Sequence, residues 1–258
     1  MVKQINFQWC VTKFNPDFRD ENGYYTIAEE WTCPSEIGEF INGKEFTFHE
    51  YLQVETAYIN SMIKFMEESN IDSLRILQLD KKISEEDLTS PLYEQEFEKL
   101  VLKEDLLVNK NELRLICKMI LRNFIWCKLY SKDQFFIHFG YDYYMYIGSN
   151  VNCQSAIQFA ESNGLFVEQC TSPYFFSEEE TTRMIQWNEI SDEDKIVIGE
   201  EELVSIPLDD YRRIFNLSAE HPVTGYFKIE KEQMGFFQTF LKHRMNFCKY
   251  EYCFCGEK

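Results

Sequence analysis

Phe135-Phe136-Ile137-His138-Phe139-Gly140-Tyr141-Asp142-Tyr143-Tyr144-Met145-Tyr146-Ile147 is the stretch that decides the class of fold. Two aromatic, β-prone runs flank Gly140-Tyr141-Asp142, and a short Gly/Asp turn between such runs reads as a β-hairpin. A short helix from Asn152 to Ser162 follows and stops at Asn163-Gly164, residues that tolerate the left-handed conformation ending many helices. Leu165-Phe166-Val167 then resumes a strand. The order hairpin, helix, strand is the pattern of an antiparallel sheet carrying a helix.

Working outward, Asn109 caps a helical pattern in which Leu113, Ile116, Ile120 and Phe124 recur at helical spacing. This apolar stretch, residues 113–129, is interrupted by Arg114, Lys118, Arg122 and Lys128, so it is no membrane span. Further upstream, Thr47-Phe48-His49-Glu50 is a capping box, a hydroxyl and a carboxylate placed to satisfy the first free amides of a helix. Leu52, Ile59, Met62, Ile63 and Met66 line one face of that helix, and Glu55 falls among them. Ser73–Leu79 and Ile5–Phe14 read as strands, the latter followed by turns from Asn15-Pro16-Asp17 to Asn22-Gly23. Toward the C-terminus, Gly225–Ile229 reads as a strand, Lys231–His243 as a helix and Tyr250–Cys255 as a strand. The expected class is α+β, with helices packed on a mainly antiparallel, aromatic-rich sheet. Two parts are expected: residues 1–80, an N-terminal α/β part, and residues 81–258, a C-terminal α+β part, unless both form one compact domain.

Composition narrows the function. In 258 residues, 45% hydrophobic and 16% aromatic content suffices for a large core, which excludes a disordered chain. The net charge is −18, and such an acidic protein is repelled by phosphate backbones, which argues against direct nucleic-acid binding. Nine cysteines are scattered from Cys10 to Cys255 without a C-x-x-C pair, as suits reduced thiols in the cytoplasm. The start of the chain does not read as a secretory signal, and the expected location is cytoplasmic. The charge is concentrated: residues 178–202 hold ten acids against Arg183 and Lys195.

Three groups of residues bear on chemistry. His243, Cys248, Cys253 and Cys255 are zinc-ligand types, but their spacing is not that of a zinc knuckle, and core cysteines are the better reading. His138 and Asp142 flank the hairpin turn, with Cys153 and Cys170 as conceivable nucleophiles; a histidine satisfied among aromatics is the simpler account. Glu55, a carboxylate on an apolar helix face, calls for an Arg or Tyr partner in the core. No P-loop, Gly-x-Ser-x-Gly, His-Glu-x-x-His or Gly-x-Gly-x-x-Gly occurs. No catalytic residue, metal or cofactor is therefore expected.

Two surfaces are expected to bind a partner. One is the acidic stretch, with Glu178, Glu179, Glu180, Asp192, Glu193 and Asp194; Ser177-Glu178-Glu179-Glu180 is a capping box, so its start is expected to be helical, with Met184, Ile185 and Trp187 as a narrow apolar edge. The other is the hairpin, with Tyr141, Asp142, Tyr144 and Tyr146. Its second face is either an exposed tyrosine surface, of the kind that dominates binding hot spots, or is buried under further helices.

Trp9-Cys10-Val11-Thr12-Lys13-Phe14-Asn15-Pro16-Asp17-Phe18-Arg19-Asp20-Glu21-Asn22-Gly23, continuing to Glu30-Trp31-Thr32 and Ser35-Glu36-Ile37-Gly38, resembles the opening of uncharacterised proteins of Gram-positive bacteria. Some of these look like immunity proteins beside toxin genes. The resemblance covers about the first 70 residues and the Gly140–Ile147 block, and no catalytic motif comes with it. It implies a protein used in conflict between cells or with phage. The leading expectation is an acidic cytoplasmic inhibitor, an immunity protein or antitoxin occluding a basic toxin. The alternatives are a phage-encoded inhibitor of a bacterial defence enzyme, a subunit of a defence complex, and a hydrolase using His138.

Overall fold

A computed structural model of the protein describes residues 5–21, 25–26, 30–175, 178, 180–189 and 196–257. The chain divides into two compact units, Met1–Phe175 and Phe176–Lys258. Both are α+β.

In the first unit the elements are β1 (Phe7–Thr12), β2 (Phe40–Ile41), β3 (Lys44–Glu45), α1 (Phe48–Glu68), β4 (Ser73–Lys81), β5 (Leu107–Asn109), α2 (Lys110–Leu121), β6 (Ile125–Ser131), β7 (Phe135–Phe139), β8 (Met145–Ser149), α3 (Gln154–Ser162) and β9 (Phe166–Gln169). Seven of the strands form one antiparallel sheet in the order β5-β4-β6-β7-β8-β1-β9. The expected hairpin is its centre, with Ile137 opposite Ile147 and His138 opposite Tyr146. Strand alternation sends Phe135, Ile137, Phe139, Met145 and Ile147 to one face, where they join Tyr58, Met62 and Met66 of α1 and Ile116 and Ile120 of α2 in a single core. Each fully buried side chain of this size contributes about 1.5–3 kcal/mol, so this face dominates the stability of the unit.

The capping box at Thr47 starts α1 and the Asn109 cap starts α2, as expected; in the structure Asn109 and Glu112 complete a capping box as well. Helix α2 is shorter than its apolar stretch implies. Asn123 takes a positive φ of 62° just past the helix end, Phe124 bends, and from Ile125 the chain continues as strand rather than helix. The expected division at residue 80 is also corrected. Strand β6 pairs with β4, β8 pairs with β1, and β7 joins β6 to β8, so the two parts share one sheet and one core, and the units part at 175/176.

The second face of this sheet is neither open nor helix-covered. The segment 170–175 runs across it, turning at Pro173-Tyr174. The Cys170 amide donates to Gln8 O (3.1 Å) and the Ser172 amide to Gln8 Oε1 (2.9 Å). Lys128 Nζ then donates to Tyr174 O (3.1 Å), and the Phe175 ring stacks on Phe136 at 4.7 Å. Gly148 makes room for this layer, since a Cβ there would meet the Phe136 ring at 2.1 Å.

The second unit comprises β10 (Thr182–Glu189), β11 (Val197–Glu202), α4 (Leu208–Phe215), β12 (Gly225–Ile229), α5 (Met234–Phe237) and β13 (Tyr250–Glu257). Its sheet has the order β11-β10-β13-β12, again antiparallel, and Tyr211 of α4 packs on Phe254 at 5.3 Å. The helical start expected for 178–202 does not form at Glu178 and Glu180, which lie in turns; Ser177 and Glu179 lie outside the described residues. From Thr182 the chain is strand: Ile185, buried between half-buried Met184 and Gln186, enters the core there, and pairing with β11 and β13 decides the conformation. The helix expected over Lys231–His243 shrinks to α5 and a preceding turn. Gly235 weakens it, and the Gln238 side chain bonds Met245 N (2.8 Å) and His243 O (3.0 Å), stabilising a turn instead.

Candidate functional site

The turn joining β7 to β8 adopts an uncommon backbone. Asp142 (φ 52°) and Tyr143 (φ 62°) both lie in the left-handed region, where a bulky aromatic residue is a rare occupant. Such a residue costs about 1–3 kcal/mol unless its surroundings hold it in place. Here they do: Tyr143 OH donates to Leu121 O (2.9 Å), Tyr58 OH donates to Tyr143 O (2.5 Å), and Trp31 meets the Tyr143 ring edge-on at 4.9 Å. The outcome is a rigid turn with Tyr141 at its tip, 84% exposed, and Asp142 exposed beside it.

This turn separates two depressions. The larger, about 460 Å³, is walled by Trp126, Phe139, Tyr141, Tyr143 and Tyr174, with Asp80, Lys82, Asn123 and Asp142 as its polar groups. A bulge in β4 aims Asp80 and Lys82 there: Gln78 takes a positive φ of 55°, and the Glu104 carboxylate accepts from the amides of Gln78 (2.8 Å) and Leu79 (2.9 Å). The smaller depression, about 180 Å³, is lined by Phe14, Phe18, Tyr25, Glu30 and Tyr144. Thr32 and Asp142 line both.

Beside the junction, the Lys13 ammonium lies 3.9 Å over the Phe14 ring and 4.2 Å over Trp31, paired with Glu30 at 3.0 Å. Burial pushes the Lys13 pKa down, opposed by Glu30, so this cation is held inside the wall and not offered to a ligand. Arg19 bridges Tyr25 OH (2.9 Å) and Glu168 (2.8 Å), bracing the far side. What faces outward is aromatic and acidic, with Lys82 as a counter-charge 3.6 Å from Asp80. Such a surface suits cationic side chains, which stack on aromatic faces and pair with carboxylates.

The structure distributes the expected partner-binding residues unevenly. Tyr141, Asp142 and Tyr144 meet around the turn; Tyr146 lies on the second sheet face, its ring against Tyr174 at 5.6 Å. Glu178 is no free surface charge: its carboxylate pairs with Arg212 and its carbonyl accepts from Arg183, which makes it an internal brace. Glu180 is exposed in a turn. Glu179, Asp192, Glu193 and Asp194 lie outside the described residues. Another acid of the stretch, Glu201, accepts from the amides of Lys242 (2.7 Å) and His243 (3.0 Å).

The candidate catalytic group does not assemble among the described residues. His138 is buried, stacked on Phe136 at 4.4 Å with Nδ1 3.4 Å from Ser172 Oγ, and burial pushes its pKa well below the usual range. Asp142 stands at the turn tip, and Cys153 belongs to the core on the other side of the sheet, where burial raises its thiol. His243 stacks on Trp187 at 4.0 Å with Nε2 3.0 Å from Tyr252 OH. Tyr252 and Phe254 alternate with Cys253 and Cys255 along β13, and no metal-binding group of three or more His, Cys, Asp or Glu side chains occurs among the described residues. Glu55 has the partners its position demanded: Arg122 Nε (2.6 Å) and Nη2 (2.7 Å), and Tyr51 OH (3.1 Å).

Trp126, Tyr174, Asp80 and Lys82 gave no signal in the sequence, because the larger depression alone is assembled from five separate stretches of chain. Among comparisons with known proteins, residues 182–255 match the family model described as a domain of unknown function, DUF7683. That match covers most of the second unit. No curated protein and no solved structure matches the chain. No helix among the described residues is long and apolar enough to cross a membrane.

Proposed function

We propose that this chain is an acidic cytoplasmic binding protein that inhibits a basic partner protein, as an immunity protein or antitoxin neutralising a bacterial toxin. One observation carries the binding surface: Tyr141, 84% exposed on a turn held rigid by Tyr58, Trp31 and Leu121, between two depressions that share Asp142. A rigid, exposed tyrosine brings large contact area at little entropic cost, as binding hot spots do. Asp142 and Asp80 beside it would take a lysine or arginine of the partner. The net charge of −18 would accelerate encounter with a basic protein in a salt-dependent way. The reading is of a binder, and what supports it is that His138 is buried and stacked on Phe136, with its pKa pushed well below the usual range by burial.

The test uses the untagged chain and its Tyr141→Ala and Asp142→Asn variants as bait in the native host, and then purifies the protein captured by wild type. Titration of that partner should show Tyr141→Ala weakening binding roughly 30-fold, the scale of a ~2 kcal/mol hot spot. Co-expression of the partner should arrest growth, and the wild-type chain should relieve the arrest. Equal affinity for all three chains removes this site from the proposal. A captured protein that is harmless when expressed alone removes the antitoxin role.

A further inference from the structure

Cys10 and Cys170 meet at an edge of the seven-stranded sheet. Trp9 of β1 faces Gln169 of β9, Cys10 faces Glu168, and the Cys170 amide donates to Gln8 O. Cys170, one residue past the end of β9, and Cys10 therefore lie on one face of the sheet as diagonal neighbours across one pleat. Cys10 is buried and Cys170 half-buried, and β9 is the last strand of the sheet, so Cys170 is the member a small molecule reaches.

We propose that Cys10 and Cys170 form a peroxide-reactive dithiol that closes into a reversible disulfide tying β9 to β1. The surroundings divide the roles. Interaction between the two thiols holds Cys170 below its ordinary pKa, while that interaction and burial push Cys10 up. Glu168, facing Cys10, works against a thiolate, and Arg19 at 2.8 Å offsets that charge. Tyr146 faces Cys10 from β8. An accessible, low-pKa thiol beside a buried resolving thiol is the arrangement that oxidises selectively.

The chemistry balances with a hydroperoxide as the oxidant. The Cys170 thiolate attacks the terminal oxygen; an S–O bond forms, the O–O bond breaks, and the departing alkoxide or hydroxide leaves as alcohol or water on taking a proton. Cys170 is now a sulfenic acid, oxidised by two electrons. The Cys10 sulfur attacks it, the S–S bond forms, and the S–O bond breaks, releasing hydroxide that leaves as water with the Cys10 proton. Two thiols and one peroxide give one disulfide, one alcohol or water, and one water. A dithiol reductant reverses the product by exchange. Diagonal neighbours are spaced wider than the Cα separation of a disulfide, so closure to an S–S distance of ~2.0 Å needs the backbone at the end of β9 to move toward β1. Cys170 also begins the segment 170–175 that lies over the second sheet face, so the bond would anchor the base of that segment.

The experiment treats the fully reduced chain with a small excess of hydrogen peroxide at neutral pH, alkylates the remaining thiols and maps the peptides without reduction. The Cys10–Cys170 peptide pair should be the first cross-link to appear and should vanish with dithiothreitol. In Cys10→Ser, oxidation should stop at a Cys170 sulfenic acid that dimedone traps; in Cys170→Ser, Cys10 should stay alkylatable. Cys248, the exposed cysteine, is the internal control, and Cys170 should react at least about tenfold faster. Oxidation of Cys248 while Cys10 and Cys170 both remain alkylatable would falsify the proposal, and the wild-type map alone decides this if a serine variant fails to fold. None of these readouts depends on the binding partner, so this inference and the proposed function fail separately.

Discussion

Replacing Arg122 with methionine would strip the counter-charge from a carboxylate sealed in the helix-side core. Glu55 and Arg122 side chains are each 2% exposed and joined by two parallel hydrogen bonds of 2.6 and 2.7 Å. Arg122 is further held by Glu94 at 2.8 Å and by Leu92 O at 2.5 Å. Burial alone would lower its pKa, and the carboxylates of Glu55 and Glu94 outweigh that and keep it charged. In Arg122→Met, Glu55 keeps only the Tyr51 hydroxyl, whereas Glu94 keeps Lys118 at 2.9 Å. An uncompensated buried charge costs about 3–5 kcal/mol, a large share of the 5–15 kcal/mol typical of a domain. The melting transition of the first unit should fall by about 6–20 °C. Removing both charges in Glu55→Leu/Arg122→Met should restore most of the loss, because an apolar pair of similar volume needs no desolvation of ions. Calorimetry and urea titration on the full chain, with the two units followed as separate transitions, give the double-mutant cycle. A loss below ~1 kcal/mol for Arg122→Met, or strict additivity in the double variant, would show that the pair is not the sealed ion pair drawn here.

Two further outcomes test the second sheet face. Gly148→Ala places a methyl group at 2.1 Å from the Phe136 ring, so it should destabilise the first unit by about 1–3 kcal/mol, read as a lower urea midpoint with unchanged slope; a neutral effect would mean Phe136 does not lie across Gly148. His138 is neutral in the folded protein, its pKa driven down by burial and by the Lys128 charge, whereas the unfolded chain binds a proton below about pH 6.5. Its contribution is therefore complete above that pH and is lost as pH falls toward the folded-state pKa, at up to ~1.4 kcal/mol per unit. Urea midpoints measured from pH 7.5 downward should lose that slope in His138→Gln, and an unchanged slope would place His138 in contact with water.

The second face also shows where the sequence is readable and where it is not. Period-two alternation sorts Phe135, Ile137 and Phe139 from Phe136 and His138 without any structure, and the capping box at Thr47 and the cap at Asn109 locate two helices, because those signals act within a few residues. What covers the alternate face depends on where residues 170–175 travel after β9, and nothing local in Ser172 or Tyr174 carries that path. The same limit explains the acidic stretch. Ser177-Glu178-Glu179-Glu180 has the spacing of a helix start, yet Ile185 is needed in a sheet that includes β12 and β13, up to about seventy residues away, and that pairing decides. The stop of α2 was legible in principle, since asparagine is among the few residues that accept positive φ, and Asn123 does so.

The candidate site follows this division of information. Tyr141 and Asp142 were visible because a turn declares itself locally, and a turn that projects an aromatic residue invites a binding interpretation. Whether that residue is rigid depends on distant groups: Tyr58 sits 85 positions upstream of the carbonyl it holds, and the Asp80 side of the cleft exists because Glu104 caps a bulge. Tyr143 could not keep its left-handed backbone without Tyr58, Leu121 and Trp31, none of which is its neighbour in sequence. The strain and its three supports are consistent with a turn whose shape matters more than its stability. A tyrosine free to collapse onto the cleft would bury itself, whereas this one is 84% exposed on a braced turn, an arrangement that would lower the entropic cost of the binding proposed for it.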